Sequence, residues 1–248
     1  MDRSMLTKVV GVIAAVLLLY NANPWISPPE NVVDLVTYGF WAAFIVLLVL
    51  LFAQRREPGG TDVEIEGPAF ARFLFNNSRA GLFWLPIRLF LGFSWLESGW
   101  GKFTNPDNAW LGGGAALRGY WERAASIPEE GRPPISYDWY RDFIQGLLDS
   151  GAEAWFAPLI VYGELLVGIG LLVGGLTGIA AFFGALMNMS FLLAGSASTN
   201  PVMFTAAIGL ILAWKVAGYY GVDRWLLPML GTPWKPAVLK GRETSPTG

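Results

Sequence analysis

Long apolar blocks separated by polar stretches set the pattern of this chain. The runs are Leu6–Tyr20, Val32–Ala53, Leu82–Gly101, Trp155–Val173, Leu176–Ala194 and Pro201–Tyr220. Each of the last four is close to the roughly 20 residues an α-helix needs to cross hydrocarbon. The pattern predicts an all-α integral membrane protein of about six transmembrane helices. The first run has the basic start and short apolar core of a signal peptide, with Arg3 and Lys8 ahead of it. No small-x-small cleavage pattern follows, so it reads as a membrane helix ending near Trp25. The second run closes at Gln54-Arg55-Arg56-Glu57-Pro58, which delimits a helix pair over 1–58. A connection over 59–81 follows, rich in Gly and acid, with Phe70–Phe75 placed at the interface.

Lys and Arg orient these spans. Arg3 and Lys8, then Arg55, Arg56, Arg72 and Arg79, then Arg224, Lys235, Lys240 and Arg242 fall on one side when six spans are counted. The 21–31 connection opposite has no Lys or Arg. Both termini and the 231–248 tail are therefore expected in the cytoplasm, and the protein in the cytoplasmic membrane. The 103–154 segment falls outside, where its length exempts its arginines from the rule. It is too aromatic for a disordered linker, with Trp110, Tyr120, Trp121, Trp139, Tyr140 and Phe143. Tyr137–Ser150 is predicted as an amphipathic helix with Trp139, Phe143 and Leu147 on one stripe. The segment reads as a folded cap on the outer surface. Its aromatic residues fit either an interfacial belt or a ligand site.

Composition narrows the chemistry. The chain is 54% hydrophobic and 15% charged, with mean hydropathy +0.44; a soluble domain carries about a quarter charged residues. A net charge of −2 and no basic stripe speak against nucleic acid. There is no Cys and no His, and zinc, copper, haem and iron–sulfur sites nearly always need thiolate or imidazole. No covalent cofactor and no metal ligands are expected, so a redox role would use an organic cofactor or a partner protein.

Ionisable residues within a span are costly and mark candidate sites. The third span holds Arg88 and Glu97 with Lys102 at its outer end, the fourth Glu164, the sixth Lys215. Arg88 and Glu97, nine residues apart, face opposite ways at about 100° per residue. Depth matching instead groups Glu97, Lys102 and Glu164 near the outer surface. Arg88 lies deeper and needs Asn188, a backbone carbonyl or a lipid phosphate. Such charges could serve only to fix helix register. Equally, they could form a polar pocket for a quinone ring or small anion, with a carboxylate as proton acceptor. Lys215 can snorkel to the interface, and Asp223 and Arg224 read as end-of-helix charges. Gly163, Gly170 and Gly174 form a small-residue stripe for close helix contact, and Gly184 shares a face with Asn188.

From Trp84 onward the chain resembles the DoxX-like membrane proteins, and within them the DoxD-type subunit of thiosulfate:quinone oxidoreductase. The resemblance rests on Arg88…Gly92…Trp95…Gly99-Trp100-Gly101-Lys102-Phe103, on Gly163-Glu164-Leu165-Leu166-Val167-Gly168 and on Leu171-Leu172-Val173-Gly174. It continues through Ala194-Gly195-Ser196-Ala197-Ser198-Thr199-Asn200-Pro201 and Ala213–Arg224, covering about residues 80–230. It implies a four-helix DoxX-like bundle over 82–230, to which the N-terminal helix pair and the outer loop are additions. It also implies passage of electrons from thiosulfate to membrane quinone. On that reading Glu97 and Glu164 carry the chemistry near the quinone, and Lys102, Arg118, Arg123 and Arg141 guide the anion. Arg88 and Asn188 complete the binding set. The partners are the lipid bilayer and other membrane subunits. The other reading is a non-catalytic subunit of a respiratory or photosynthetic complex, which suits the missing His and Cys and the extra N-terminal pair.

Overall fold

A computed structural model describes residues 3–22, 29–54 and 67–232. Among these residues every regular element is helical. The expected tail over 231–248 falls largely outside the described residues, as does the 59–66 part of the 59–81 connection.

The chain divides into two units, Met1–Glu66 and Gly67–Gly248. In the first, α1 (Arg3–Ala22) and α2 (Glu30–Gln54) run antiparallel. Gly11 lies against Leu47, and Gly39 against Leu17. Val12, Val16, Ile45 and Val49 point outward. A helix pair that is apolar on its outer faces suits a hydrocarbon surround.

The second unit holds α3 (Ala69–Asn76), a 3-10 turn at Ser78–Ala80, α4 (Gly81–Phe103), α5 (Ala115–Ala125), α6 (Asp138–Asp149), α7 (Glu153–Val173), α8 (Thr177–Leu193), α9 (Asn200–Leu212), α10 (Trp214–Ala217) and α11 (Asp223–Met229). Helix α4 packs along α7, α7 on α8, and α8 along α9. Trp84, Leu91, Trp95, Leu171, Ala181 and Leu210 fill the interior. The tightest crossing is α4 on α7. A Cβ on Gly168 would sit 2.6 Å from the Leu96 nitrogen, and one on Gly92 2.9 Å from the Leu172 nitrogen. The glycines that bring these helices together are thus Gly92, Gly99 and Gly168. The predicted stripe of Gly163, Gly170 and Gly174 does other work: Gly163 and Gly170 line an apolar groove between α7 and α8, and Gly174 ends α7 in the left-handed conformation.

The 103–154 segment is a folded cap with its own core. Leu117 and Trp121 of α5, Ile135, and Tyr140, Ile144 and Leu148 of α6 close over Ala157 at the start of α7. Sequence reasoning found α6 and a stripe of Trp139, Phe143 and Leu147 on it, but not which row faces the core. Trp139 and Phe143 are exposed, and the buried row lies one residue on. Both rows are apolar at the same spacing, so periodicity could not separate the row facing the core from the row facing outward.

The six-span expectation is met only in part by helix length and apolarity. Among the described residues two helices qualify to cross a membrane by length and apolarity, Val32–Leu50 and Glu153–Val173; Met5–Leu18, Thr177–Leu193 and Asn200–Leu212 are apolar but shorter. Helix α4 is long enough but carries Arg88, Glu97 and Lys102. The expected sixth span breaks at Ala213, so α9 has 13 residues, about 20 Å of helix. The break follows from packing: Trp214 is pressed onto Gly178, where a Cβ would lie 2.6 Å from the indole-bearing Cβ.

Candidate functional site

The centre of the site is an ion pair between α4 and α7. Glu164 is fully buried. Lys102, in the last turn of α4, reaches back so that its Nζ lies 2.7 Å and 3.0 Å from the two carboxylate oxygens. It also donates to Ser98 Oγ at 2.7 Å and lies 5.2 Å from the Trp110 ring centre. Gly99 makes this possible, since a Cβ there would come within 3.1 Å of Glu164 Cβ. Two ions in a low-dielectric site attract strongly but cost several kcal/mol each to desolvate, so such a pair by itself is weak evidence of added stability.

The pair opens on a cavity of about 780 Å³ between the end of α4, the start of α5 and the 196–203 segment, with Phe191 of α8 on its wall. This falls within the roughly 300–1,000 Å³ typical of ligand pockets. Glu97 is exposed and lines it, as does Arg123, which makes no ion pair among the described residues. Trp95 and Tyr120 are on its walls; the Trp95 Nε1 is buried against Gly184 of α8, while the Tyr120 hydroxyl is buried beside Ser196. Burial raises the pKa of Tyr120, with Ser196 offsetting part of the effect, so the hydroxyl stays protonated and able to donate at neutral pH. Lys102 and Arg123 can only donate. The cavity therefore offers donors to a ligand with acceptor oxygens.

The 196–201 segment is held by a short relay. Asn188 Nδ2 donates to Asn200 Oδ1 at 2.8 Å, and Asn200 Nδ2 donates to the Ser196 carbonyl at 2.9 Å. Asn188 thus stands behind the wall and positions Asn200, which faces the cavity. Ser198, also on the wall, has φ 41°, a conformation costing a non-glycine residue of order 1 kcal/mol and concentrated at functional sites.

Arg88 is elsewhere, among the turns at the opposite end of the bundle. Its Nη2 donates to the Tyr220 carbonyl at 3.1 Å, which is the backbone partner foreseen as one option. Gly174 and Gly221 leave just enough room for the guanidinium, and Asp223 is near enough to act on it electrostatically. Asp223 is not an end-of-helix charge on the surface. It is fully buried and accepts from the Leu176 and Thr177 nitrogens at 2.6 Å and 2.9 Å, which caps the start of α8. Arg118 pairs with Glu122 and Glu153, and Arg141 with Asp138 and the Ile135 carbonyl. Of the four cap arginines, Arg118, Arg123, Arg132 and Arg141, Arg123 alone lines the cavity. Among the described residues no group of three or more Asp and Glu could hold a metal ion.

The structure thus brings Glu97, Lys102, Glu164 and Arg123 to one cavity and leaves Arg88, Arg118 and Arg141 outside it. Sequence reasoning missed Trp95, Ser98 and Tyr120. A signal existed on α4: Trp95, Ser98 and Lys102 follow one another at spacings of three and four, which places them on one face. Nothing in the sequence ties Tyr120 of the cap to that face.

Fold and site together define a helical bundle with a capped polar cavity built around a buried ion pair. Residues 83–196, from α4 to the loop after α8, match the DoxX family. That stretch, a little under half of the chain, is similar to the DoxX family, a family of membrane proteins. No curated protein and no solved structure matches the chain.

Proposed function

We propose that this chain is the membrane subunit of a quinone-linked redox system, of the thiosulfate:quinone oxidoreductase type. The observation that carries the reading is the Lys102–Glu164 pair opening on a cavity lined by Glu97, Tyr120 and Arg123, whose donors and carboxylates suit the carbonyl oxygens of a quinone ring. Reducing the ring to a quinol takes two electrons and two protons. Two thiosulfate ions joined as tetrathionate release those two electrons, and Arg123 and Lys102 offer positive charge to the anions. Glu164 and Glu97 are the groups in reach that exchange protons with the quinone oxygens. In this reading α1, α2, α4, α7, α8 and α9 form the six membrane helices, with flanking short helices and a locally thinned bilayer making up for the brevity of α8 and α9. The termini are cytoplasmic and the cap is external.

The test uses the full chain purified into lipid, with a short-chain quinone and thiosulfate added and quinol formation followed by absorbance. Activity that falls at least tenfold in Glu164→Gln and Lys102→Ala supports the assignment. Full activity in both variants removes these residues from it. A wild-type chain that is inactive alone and co-purifies in fixed ratio with a large redox complex supports the accessory-subunit reading instead; the outward apolar faces of α1 and α2 favour such a contact.

A further inference from the structure

The end of the second unit away from the cavity has a composition of its own. Helix α3, the 3-10 turn, α10 and α11 gather there. Trp84 Nε1 donates to the Leu74 carbonyl at 2.8 Å, Phe75 stacks on Trp84, and Lys215 Nζ donates to Asn76 Oδ1 at 3.2 Å. These contacts pin one face of α3 to the bundle and leave Phe70 and Phe73 outward, 74% and 47% exposed. On α11, Asp223 and Leu227 are buried while Trp225 and Met229 are 64% and 82% exposed. Two short helices thus turn large apolar side chains away from the protein at the same end.

The exposed charges among the described residues there have one sign. Arg72, Arg79 and Arg224 are exposed and Lys215 is half-buried, with Arg224 lying over the rings of Tyr219 and Trp225. The described acid at this end is Asp223, buried and occupied by the first turn of α8. The cap end is the reverse, with Glu122, Glu129, Glu130, Asp138, Asp142 and Asp149 outnumbering its arginines. Outward aromatic side chains beside cations are the composition of helices that lie at a headgroup boundary, and cations alone select anionic headgroups.

We infer that this end is an anionic-phospholipid surface, with Phe70, Phe73, Trp225 and Met229 set at the acyl boundary and Arg79, Lys215 and Arg224 holding phosphate headgroups. The inference needs the bilayer but not the quinone assignment. It places α3 and α11 flat on the leaflet rather than across it, which accounts for their being short.

The full chain reconstituted in phosphatidylcholine bilayers, with spin-labelled phosphatidylglycerol or phosphatidylcholine as probe, tests it through the relative association constant of the two lipids. Phosphatidylglycerol is expected to be preferred, with the preference falling as salt is raised. Each cation removed is expected to weaken it roughly fivefold, so R79Q/K215Q/R224Q abolishes it, whereas Arg132→Gln in the cap leaves it intact. Should the triple variant fail to fold, the salt titration on the wild-type chain still decides. Equal association of both lipids overturns the inference. A preference unmoved by both salt and substitution also overturns it.

Discussion

Glu164 and Lys102 separate structure from function at the level of single side chains. Removing one partner strands the other ion, so Glu164→Ala is expected to cost about 3–5 kcal/mol, read as a lowered unfolding midpoint in detergent. The double change Glu164→Leu with Lys102→Met leaves no stranded ion and is expected to recover most of that loss while ligand binding stays abolished; a double variant that still binds would make the pair a register device only. Tyr120→Phe separates the two roles in the opposite direction. Its hydroxyl has only the Ser196 side chain as a polar neighbour within the protein, so stability is expected to change by less than about 1 kcal/mol, while affinity for a quinone analogue falls about five- to tenfold with one donor gone. Unchanged affinity would take Tyr120 out of the ligand's reach. At this scale the sequence showed which charges lie deep, because charges in apolar runs stand out. It did not show Asp223 as a buried cap, because that role depends on a main-chain turn 46 residues away.

The elements meet at points where glycine and charge are fitted to each other, and these are open to direct test. Gly174 has φ 67° and borders the Arg88 guanidinium. Gly174→Ala therefore combines a left-handed alanine, about 1 kcal/mol, with a clash against Arg88. The two effects are expected to be coupled, so that Gly174→Ala costs less in an Arg88→Ala background than in the wild type, measured as a double-mutant cycle on unfolding. Additive costs would show that Arg88 does not hold the α7–α8 turn. The starts and ends of α2, α4, α7 and α8 were legible to within a few residues, since apolar runs bounded by polar clusters mark them. The break after α9 was not, because Ala213–Tyr220 is as apolar as a helix and turns only where Trp214 finds Gly178. The row of α6 that faces the core was undecidable for a related reason: Tyr140, Ile144 and Leu148 win over Trp139 and Phe143 through the shape of the surface beneath them.

For the whole molecule, the cap and the bundle make the cavity together. Tyr120 and Arg123 come from α5, Glu164 and Lys102 from the bundle, and Tyr140 fastens α6 by donating to the Ser190 carbonyl at 3.0 Å. Burial raises the pKa of both Tyr120 and Tyr140. Their neutral forms favour the docked cap fully below the ordinary tyrosine value of about 10, and that contribution is lost as pH rises through the higher folded-state values. Limited proteolysis of the 103–154 segment is expected to accelerate above about pH 10, and less so in a Tyr140→Phe variant; no pH dependence would mean that the cap is held without them. The most direct test of the central claim is photolabelling of the full chain in lipid with an azidoquinone, followed by peptide mapping. The account predicts labels in 94–103, 115–123 and 196–203, suppressed by excess unlabelled quinone. Labels confined to the apolar groove of α7 and α8, around Gly163 and Phe183, would contradict it.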